Sequence, residues 1–286
     1  MIDNYLLEEL VTFSKFGTLA ATAEELMVTQ PTVTRGMQKL EEELNVKIFD
    51  RQPNHISLTK TGILAAKEAQ KVLDQNQSFI ETVRAYEASH TTIRIGSIAP
   101  GPIIMLHSMD NIPDNVVVND DLLEQAAVIN DLENHSFSVI VTNHEIMTDS
   151  IESRFIGSEQ LSVNLDKFTY LANKNSVKFE ELKGMSFIVV NDIGIWKQII
   201  QDNIPDAKFL YQEQYDAFKE ITQYSNFPHF STNISRNGDH LPVNDGDRVK
   251  IPISDDASKM DFYVSYLKGQ KHQVNPLIEL MSKSWK

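Results

Sequence analysis

Cysteine is absent from the 286 residues. No disulfide, thiol nucleophile, cysteine-ligated zinc or iron–sulfur cluster can therefore form, and a disulfide-held secreted scaffold is excluded. Glycine (11) and proline (10) are sparse, which removes collagen-like and low-complexity chains. No apolar run reaches membrane-spanning length, and the opening MIDNYLLEE carries acidic residues where a signal peptide carries basic ones. A soluble, cytoplasmic protein is expected. Positive charge is also short: 26 Lys and Arg stand against 40 Asp and Glu, a formal charge of −14. That balance argues against a passive nucleic-acid coat, but it averages over domains and leaves room for one local DNA-binding face. A hydrophobic share of 41% is enough for sizeable cores, and the length accommodates one large domain or two to three modules.

Over residues 1–90 the apolar pattern is helical. Leu6, Leu10 and Phe13 recur at i, i+4, i+7, and Leu19, Ala23 and Leu26 do the same. Between them Gly17 supplies a helix end and Thr18 a cap. A third helix is predicted from about Thr29 to Leu44, with Val33, Met37, Leu40 and Leu44 inward, Thr29 as cap and Pro31 in the first turn, where amide hydrogens lack partners. A turn-rich segment around 51–55 and a short extended piece, 56–58, follow. A long helix then starts at Thr59 and reaches Tyr86 or Ser89. Its seam, Ala65, Ala69, Val72, Asn76, Phe79, Val83 and Tyr86, alternates steps of four and three, a coiled-coil heptad with one polar member. At ~1.5 Å per residue such a helix is on the order of 40 Å long and needs a partner, most simply the same helix of a second chain. Beyond residues 89–92 short apolar runs appear at 93–95, 116–118, 137–141, 168–171, 187–190, 249–251 and 262–264, alternating with helical stretches such as 121–132 and 194–203. Strands alternating with helices predict an α/β domain with a substantially parallel sheet.

Three short helices and a hairpin-like segment form a winged helix-turn-helix pattern, in which the third helix buries one stripe and offers the opposite one to the DNA major groove. The far side of that helix carries Pro31, Arg35, Gln38 and Glu42, flanked by Thr32 and Lys39. Thr29, Gln30, Thr32, Thr34 and Arg35 crowd its N-terminus, where free amides and the positive dipole end favour phosphate. Arg35 can take guanine bidentately and Gln30 adenine. The acidic run Glu41–Glu43 has to swing clear of the duplex. Residues 28–72 hold seven basic against five acidic side chains, so the one locally basic stretch coincides with the motif. Salt-sensitive, modest non-specific affinity is expected, with Lys60 contributing to all sequences alike.

Read in order, LAATAEELMVTQPTVTRGMQKLEEELNVKIFDRQPNHISLTKTGILAAKEAQKVL resembles the N-terminal domain of the LysR-type transcriptional regulators. The shared features are the small-residue turn before Leu26, the Thr29-Gln30-Pro31 opening and the Leu40–Leu44 run. Others are Ile48-Phe49-Asp50-Arg51, Leu58-Thr59, and Gly62 three residues on. The resemblance covers about residues 3–75. It implies a winged helix-turn-helix over 1–59, a dimerising linker helix over 60–89, and a two-lobed effector domain like a periplasmic binding protein over 90–286. Lobe I would hold about 91–161 with 270–286, lobe II about 162–269, with hinge crossings near Leu161 and Lys268. It implies promoter binding as a homodimer or homotetramer, modulation by a small molecule, and RNA polymerase as a further partner, with no cofactor, metal or membrane. Arg51 and His55 of the wing join the DNA-contacting set. Departures are Thr29 and Thr34 in place of serines, Thr22 in place of an alanine at a helix crossing, and a wing, Pro53-Asn54-His55, poor in positive charge.

For the effector cleft, the resemblance and the rule that open α/β sheets bind ligands at strand ends point to three places. The first strand ends in Ser97-Ile98-Ala99-Pro100-Gly101, a strand-to-helix loop suited to an anion, with the Ser97 hydroxyl and backbone amides as donors. Thr142 and Asn143 follow a later strand, and Asn191 and Asp192 precede the helix of Trp196. Ser231 and Thr232 complete the set. Where relatives carry a glycine-rich stretch, this chain has YSNFPHFST (224–232), so Phe227 and Phe230 could narrow the cleft. Two other classes compete. A ligand-blind DNA-binding scaffold would use the second domain only to oligomerise. A cofactor-free α/β enzyme finds little support: Asn143-His144-Glu145 lacks the second histidine of a zinc-protease helix, and no Gly-x-Ser-x-Gly elbow, P-loop or dinucleotide fingerprint is present.

Overall fold

The computed structural model describes residues 2–52, 55–235 and 247–285. They fall into two compact units, Met1–Arg84 and Ala85–Lys286.

In the first unit α1 (Asn4–Phe16), α2 (Leu19–Glu25) and α3 (Gln30–Leu44) precede a hairpin of β1 (Phe49–Gln52) and β2 (His55–Leu58), and α4 (Lys60–Ser89) follows. Local chemistry sets each boundary. Gly17 ends α1 at φ 75°, a left-handed conformation open to glycine, and its N–H returns to the Phe13 carbonyl at 2.8 Å. Thr18 accepts from the Ala21 amide and caps α2; Thr29 does the same for α3 through Thr32. The interior joins Leu6, Leu10, Phe13, Val33, Met37, Leu40, Ile48 and Phe49 to Ala66 and Ala69 of α4. Leu44, expected on the inner stripe, is 37% exposed in the last turn of α3. Thr22 is fully buried and its hydroxyl donates to the Thr18 carbonyl at 2.7 Å, so the residue replacing an alanine satisfies its own polar atom.

The second unit continues with β3 (Ile93–Ser97), α5 (Pro100–His107), β4 (Val116–Val118), α6 (Val128–Glu133), β5 (Val139–Thr142) and β6 (Ile151–Asp166). Next come β7 (Ser186–Val190), α7 (Trp196–Asn203), β8 (Lys208–Gln212), α8 (Tyr215–Tyr224) and β9 (His229–Thr232). Last are β10 (Arg248–Pro252), β11 (Lys259–Leu267) and α9 (Lys271–Ser284). The strands run in the order β4-β3-β5-β11-β6-β9-β7-β8, with β10 on β6. Each end is parallel: β3 with β4 and β5, β7 with β8 and β9. The centre is antiparallel, since β6 pairs with β11 over its first part and with β9 and β10 over its second. One 16-residue strand thus belongs to both lobes, and the sheet is mixed where a substantially parallel one was expected.

Three further expectations change. Residues 168–171 are a turn and a short 3-10 helix, with Phe168 85% and Tyr170 80% exposed, so their apolar spacing does not mark a strand. The helix predicted over 121–132 is regular only from Val128, after a 3-10 turn at Gln125–Ala127. β11 hydrogen-bonds to β5 and to the first part of β6, which sets it in the first lobe's sheet and moves the second crossing from Lys268 to the stretch between β10 and β11. Among the described residues no helix is long and apolar enough to cross a membrane.

Candidate DNA-binding face and ligand cleft

On α3 the buried stripe is Val33, Gly36, Met37 and Leu40. Opposite it Thr29, Gln30, Pro31, Thr32, Arg35 and Gln38 are exposed, and Thr34 is half-buried. The side chains differ in how far they are committed. Thr29 and Thr32 share a hydroxyl hydrogen bond at 2.8 Å, and Thr34 donates to the Gln30 carbonyl, so these hydroxyls already serve the helix. Arg35 has no ion-pair partner among the described residues. Lys39, by contrast, donates to Asp3 at 2.9 Å and to the Tyr5 hydroxyl at 3.2 Å, and Glu43 stands 3.7 Å away. Those hydrogen bonds hold its pKa above the usual lysine range.

Arg51 pairs with Glu41 at 3.1 Å, and Lys60 is exposed at the start of α4. The structure brings Gln30, Thr34 and Arg51 to one groove of about 430 Å³, together with Gly17, Thr18 and Gln52, which sequence reasoning did not select. Pro53, Asn54 and the His55 side chain lie outside the described residues. Glu41, read as a charge that must swing clear, has a structural task. Its Oε1 accepts from the Ile48 and Phe49 amides at 2.8 and 3.0 Å, and so ties the end of α3 to the wing.

Along α4 the predicted seam divides. Ala69 is buried and Ala65 half-buried against the first unit's own interior. Asn76 donates to Asn4 Oδ1 of α1 at 2.9 Å, which gives its amide a partner within the chain. Val72, Phe79, Val83 and Tyr86 are 48, 67, 54 and 51% exposed.

Inside the second unit a cleft of about 440 Å³ lies where the lobes meet along β6. Pro100, Gly101, Asp192, Ser231 and Thr232 reach its wall, as expected. Ser97, Ile98, Ala99, Thr142, Asn143 and Asn191 do not line it. Ser97 is fully buried, donates to the Ala99 carbonyl at 2.7 Å and accepts from the Ala99 amide at 3.1 Å, so its hydroxyl closes its own turn. Thr142 is buried among Ser265 and the His144 carbonyl, and Asn191 accepts from Lys197. Phe230 stacks on Phe187 at 4.7 Å and forms wall; the volume remains beside it, and Phe227 is not on the lining.

Most of the remaining wall is apolar, including Ile103, Ile104, Leu161, Ile188, Ile193 and Trp196. The group that sequence reasoning missed is Glu159 of β6. It is 2% exposed and accepts from Trp196 Nε1 at 3.1 Å. Burial pushes its carboxyl upward, while hydrogen bonds from Thr232 and Trp196 pull the other way. Set between Ser158 and Gln160 in a polar run, it reads as surface, and no local signal announces its burial.

A helix-turn-helix with a two-stranded wing and long following helix, joined to a two-lobed α/β unit, defines a regulator of the winged helix-turn-helix class. Residues 6–63 match the family model described as "Bacterial regulatory helix-turn-helix protein, lysR family". The transcriptional regulator BsdA of Bacillus subtilis is 22% identical over 209 residues, which cover 70% of this chain and 72% of that one. An uncharacterised regulator of Escherichia coli, YbhD, is 24% identical, covering 71% of this chain and 64% of that one. Among solved structures, a full-length OxyR variant from Pseudomonas aeruginosa aligns with a TM-score of 0.51 at 18% identity, covering 99% of this chain and 94% of that one. CbnR, solved in complex with its target DNA, aligns at 0.50 and 16%, covering 99% of this chain and all of that one. At such identities these two show the fold alone. Residues 6–63 thus form a helix-turn-helix domain of the lysR family, and over about 70% of its length the chain is similar to DNA-binding transcriptional regulators.

Proposed function

We propose that this chain acts in the cytoplasm as a homo-oligomer that reads a two-fold promoter site through α3 and couples binding to a small molecule held in the cleft. The observation that carries the DNA reading is the face of α3, where Arg35 and Gln38 stand exposed opposite the buried Val33–Met37–Leu40 stripe. We take 1–59 as the DNA-binding domain, 60–89 as the linker helix and 90–286 as the effector domain. Thr29, Gln30, Pro31, Thr32 and Thr34 approach the phosphate backbone, and Arg51, His55 and Lys60 add contacts from the wing and α4. Self-association is supported by the exposed apolar part of α4, since Val72, Phe79, Val83 and Tyr86 are 48–67% exposed among the described residues. Tetramer formation and contact with RNA polymerase are extensions of the same reading.

Gel-shift titration of the full-length protein on DNA from its own upstream region tests the DNA reading. Wild type should bind site-specifically and Arg35→Ala should not; equal affinity and sequence preference in both would overturn the assignment of α3. Phe79→Asp together with Val83→Asp should yield monomers by light scattering. An unchanged dimer would remove α4 as the interface.

A further inference from the structure

We propose that the cleft takes a compact, largely apolar molecule bearing a protonated amine, held by the Glu159 carboxylate, and not the anion that the start of α5 would otherwise attract. The inference rests on the reading of the cleft as the effector site. It begins with what already occupies the helix terminus. A Cβ added at Gly101 would stand 2.6 and 2.7 Å from the two Glu159 carboxylate oxygens, so that side chain lies hard against the first turn of α5. The protein's own carboxylate fills the place where a ligand's carboxylate would be received.

Beyond the hydroxyls of Tyr215, Ser231, Thr232 and Ser235, the lining has little to offer an anion. Pro100 and Pro102 remove two amide hydrogens from that turn, and the Ser97 hydroxyl is spent on Ala99. Among the described residues the lining holds Asp120, Glu159 and Asp192 but no Lys or Arg. His107, the one basic group on it, is bonded to Asp120 at 2.6 Å. Lys250 donates to the Thr232 carbonyl at 2.6 Å and is not on the lining.

An anion entering this wall would meet carboxylates in a medium that screens poorly; an ammonium would meet the partner a buried carboxylate needs. The rings of Trp196 and Phe230 offer further attraction to a cation, and the aliphatic wall suits an apolar body. Burial raises the Glu159 carboxyl, and a bound cation is what would return it to the ionised form.

The test compares three probes of one shape, 2-phenylethylamine, 2-phenylethanol and 3-phenylpropanoate, on the full-length protein by thermal shift and calorimetry. The amine should stabilise wild type, the alcohol less, and the carboxylate not at all. Glu159→Gln should weaken the amine by about tenfold or more, as the loss of a charged partner demands. Ile104→Trp, which fills the cleft from its wall, should abolish the effect. If the carboxylate binds best and Ile104→Trp removes it, the cleft stands as the effector site and the amine class is overturned. If the amine's effect survives Ile104→Trp, the cleft reading itself fails. Failure of all three probes at ~10 mM also overturns the proposal, because a cavity of this charge and size should hold such an amine at least weakly.

Discussion

The exposed face of α3, proposed above to read DNA, and the cleft along β6 use polar groups in opposite ways. On α3 Arg35 and Gln38 are exposed and make no side-chain hydrogen bond or ion pair among the described residues, so their hydrogen-bonding capacity is left for a partner. Behind the cleft wall Ser97 closes its own turn and Thr142 bonds within the protein, and on the wall Glu159 is fixed by Trp196. A nucleic-acid surface can keep its donors in water until the duplex arrives, because exposure costs nothing. A buried wall cannot, since each unpaired polar atom there would cost on the order of 1–3 kcal/mol. Residues of the same type therefore point to function on one surface and to architecture on the other.

The strongest way to break that contrast is Arg35→Ala. If Arg35 is uncommitted until it meets a base, its removal leaves the fold intact and costs ~1–3 kcal/mol per half-site in specific binding. A titration showing full specificity with a lowered melting temperature would reverse the assignment and make Arg35 structural.

Close packing behind the DNA face gives the next effect. A Cβ at Gly62 would lie 2.2 Å from the Ile48 carbonyl oxygen, a backbone atom with no freedom to retreat. Ala is the better helix former by about 1 kcal/mol, yet the overlap should outweigh that and leave Gly62→Ala destabilised by roughly 2 kcal/mol. Reduced hydrogen-exchange protection across α1–α3, with the second unit unchanged, is the expected record. Unaltered protection would mean that α4 can shift along the wing.

These positions also show what was legible in the sequence. Gly17, Thr18, Thr29 and the 3.6-residue stripes specify the first unit because each acts on neighbours within a turn or two. Caps and periodicity are local physics, and the four helices and the hairpin follow from them. In the second unit the deciding partners are remote. Glu159 meets Gly101 and Trp196 across 58 and 37 positions, and β11 pairs with strands more than 90 residues earlier. Period-two patterning cannot say which lobe a strand joins, and β6, serving both, has no short signature. Ser97 was selected for standing after a strand, where a turn-closing serine and a ligand-binding one look alike.

Glu9 and Glu159 sharpen the comparison between the units, since both are buried carboxyls and Glu159 accepts hydrogen bonds from Trp196 and Thr232 but has no cationic partner among the described residues. Glu9 is 4% exposed, its Oε2 has no hydrogen-bond partner among the described residues, and it stands against Gly36 of α3. Burial pushes its carboxyl from the ordinary 4.5 up to about 7. Below the ordinary value both folded and unfolded forms are protonated and no penalty applies. As pH rises toward 7 the unfolded chain ionises first, so the folded state loses stability, and the loss is complete above 7. Allowing for relaxation around the charge, about 1–2 kcal/mol is expected. Melting of wild type at pH 5 and pH 7.5 should show this fall, and Glu9→Gln should flatten the part due to this group. An identical slope in the variant would assign it to other groups.

The smallest effect should come from Lys39, which lies beside the proposed reading face and yet is already engaged. Its ammonium is shared between Asp3 and the Tyr5 hydroxyl, with Glu43 nearby, so its charge is largely answered before DNA arrives. Phosphate could take Lys39 only by displacing Asp3, and the exchange of one carboxylate for one phosphate gains little. Lys39→Ala should therefore lower DNA affinity only slightly and alike at all sequences, and the slope of log affinity against log salt should change by less than the roughly one unit expected of a free phosphate contact. Asp3→Asn is the informative partner variant. By releasing Lys39 it should raise non-specific affinity, and Lys39→Ala in that background should then cost more than it does in wild type. Equal costs in the two backgrounds would show that the Asp3 pair does not hold Lys39 back from the duplex.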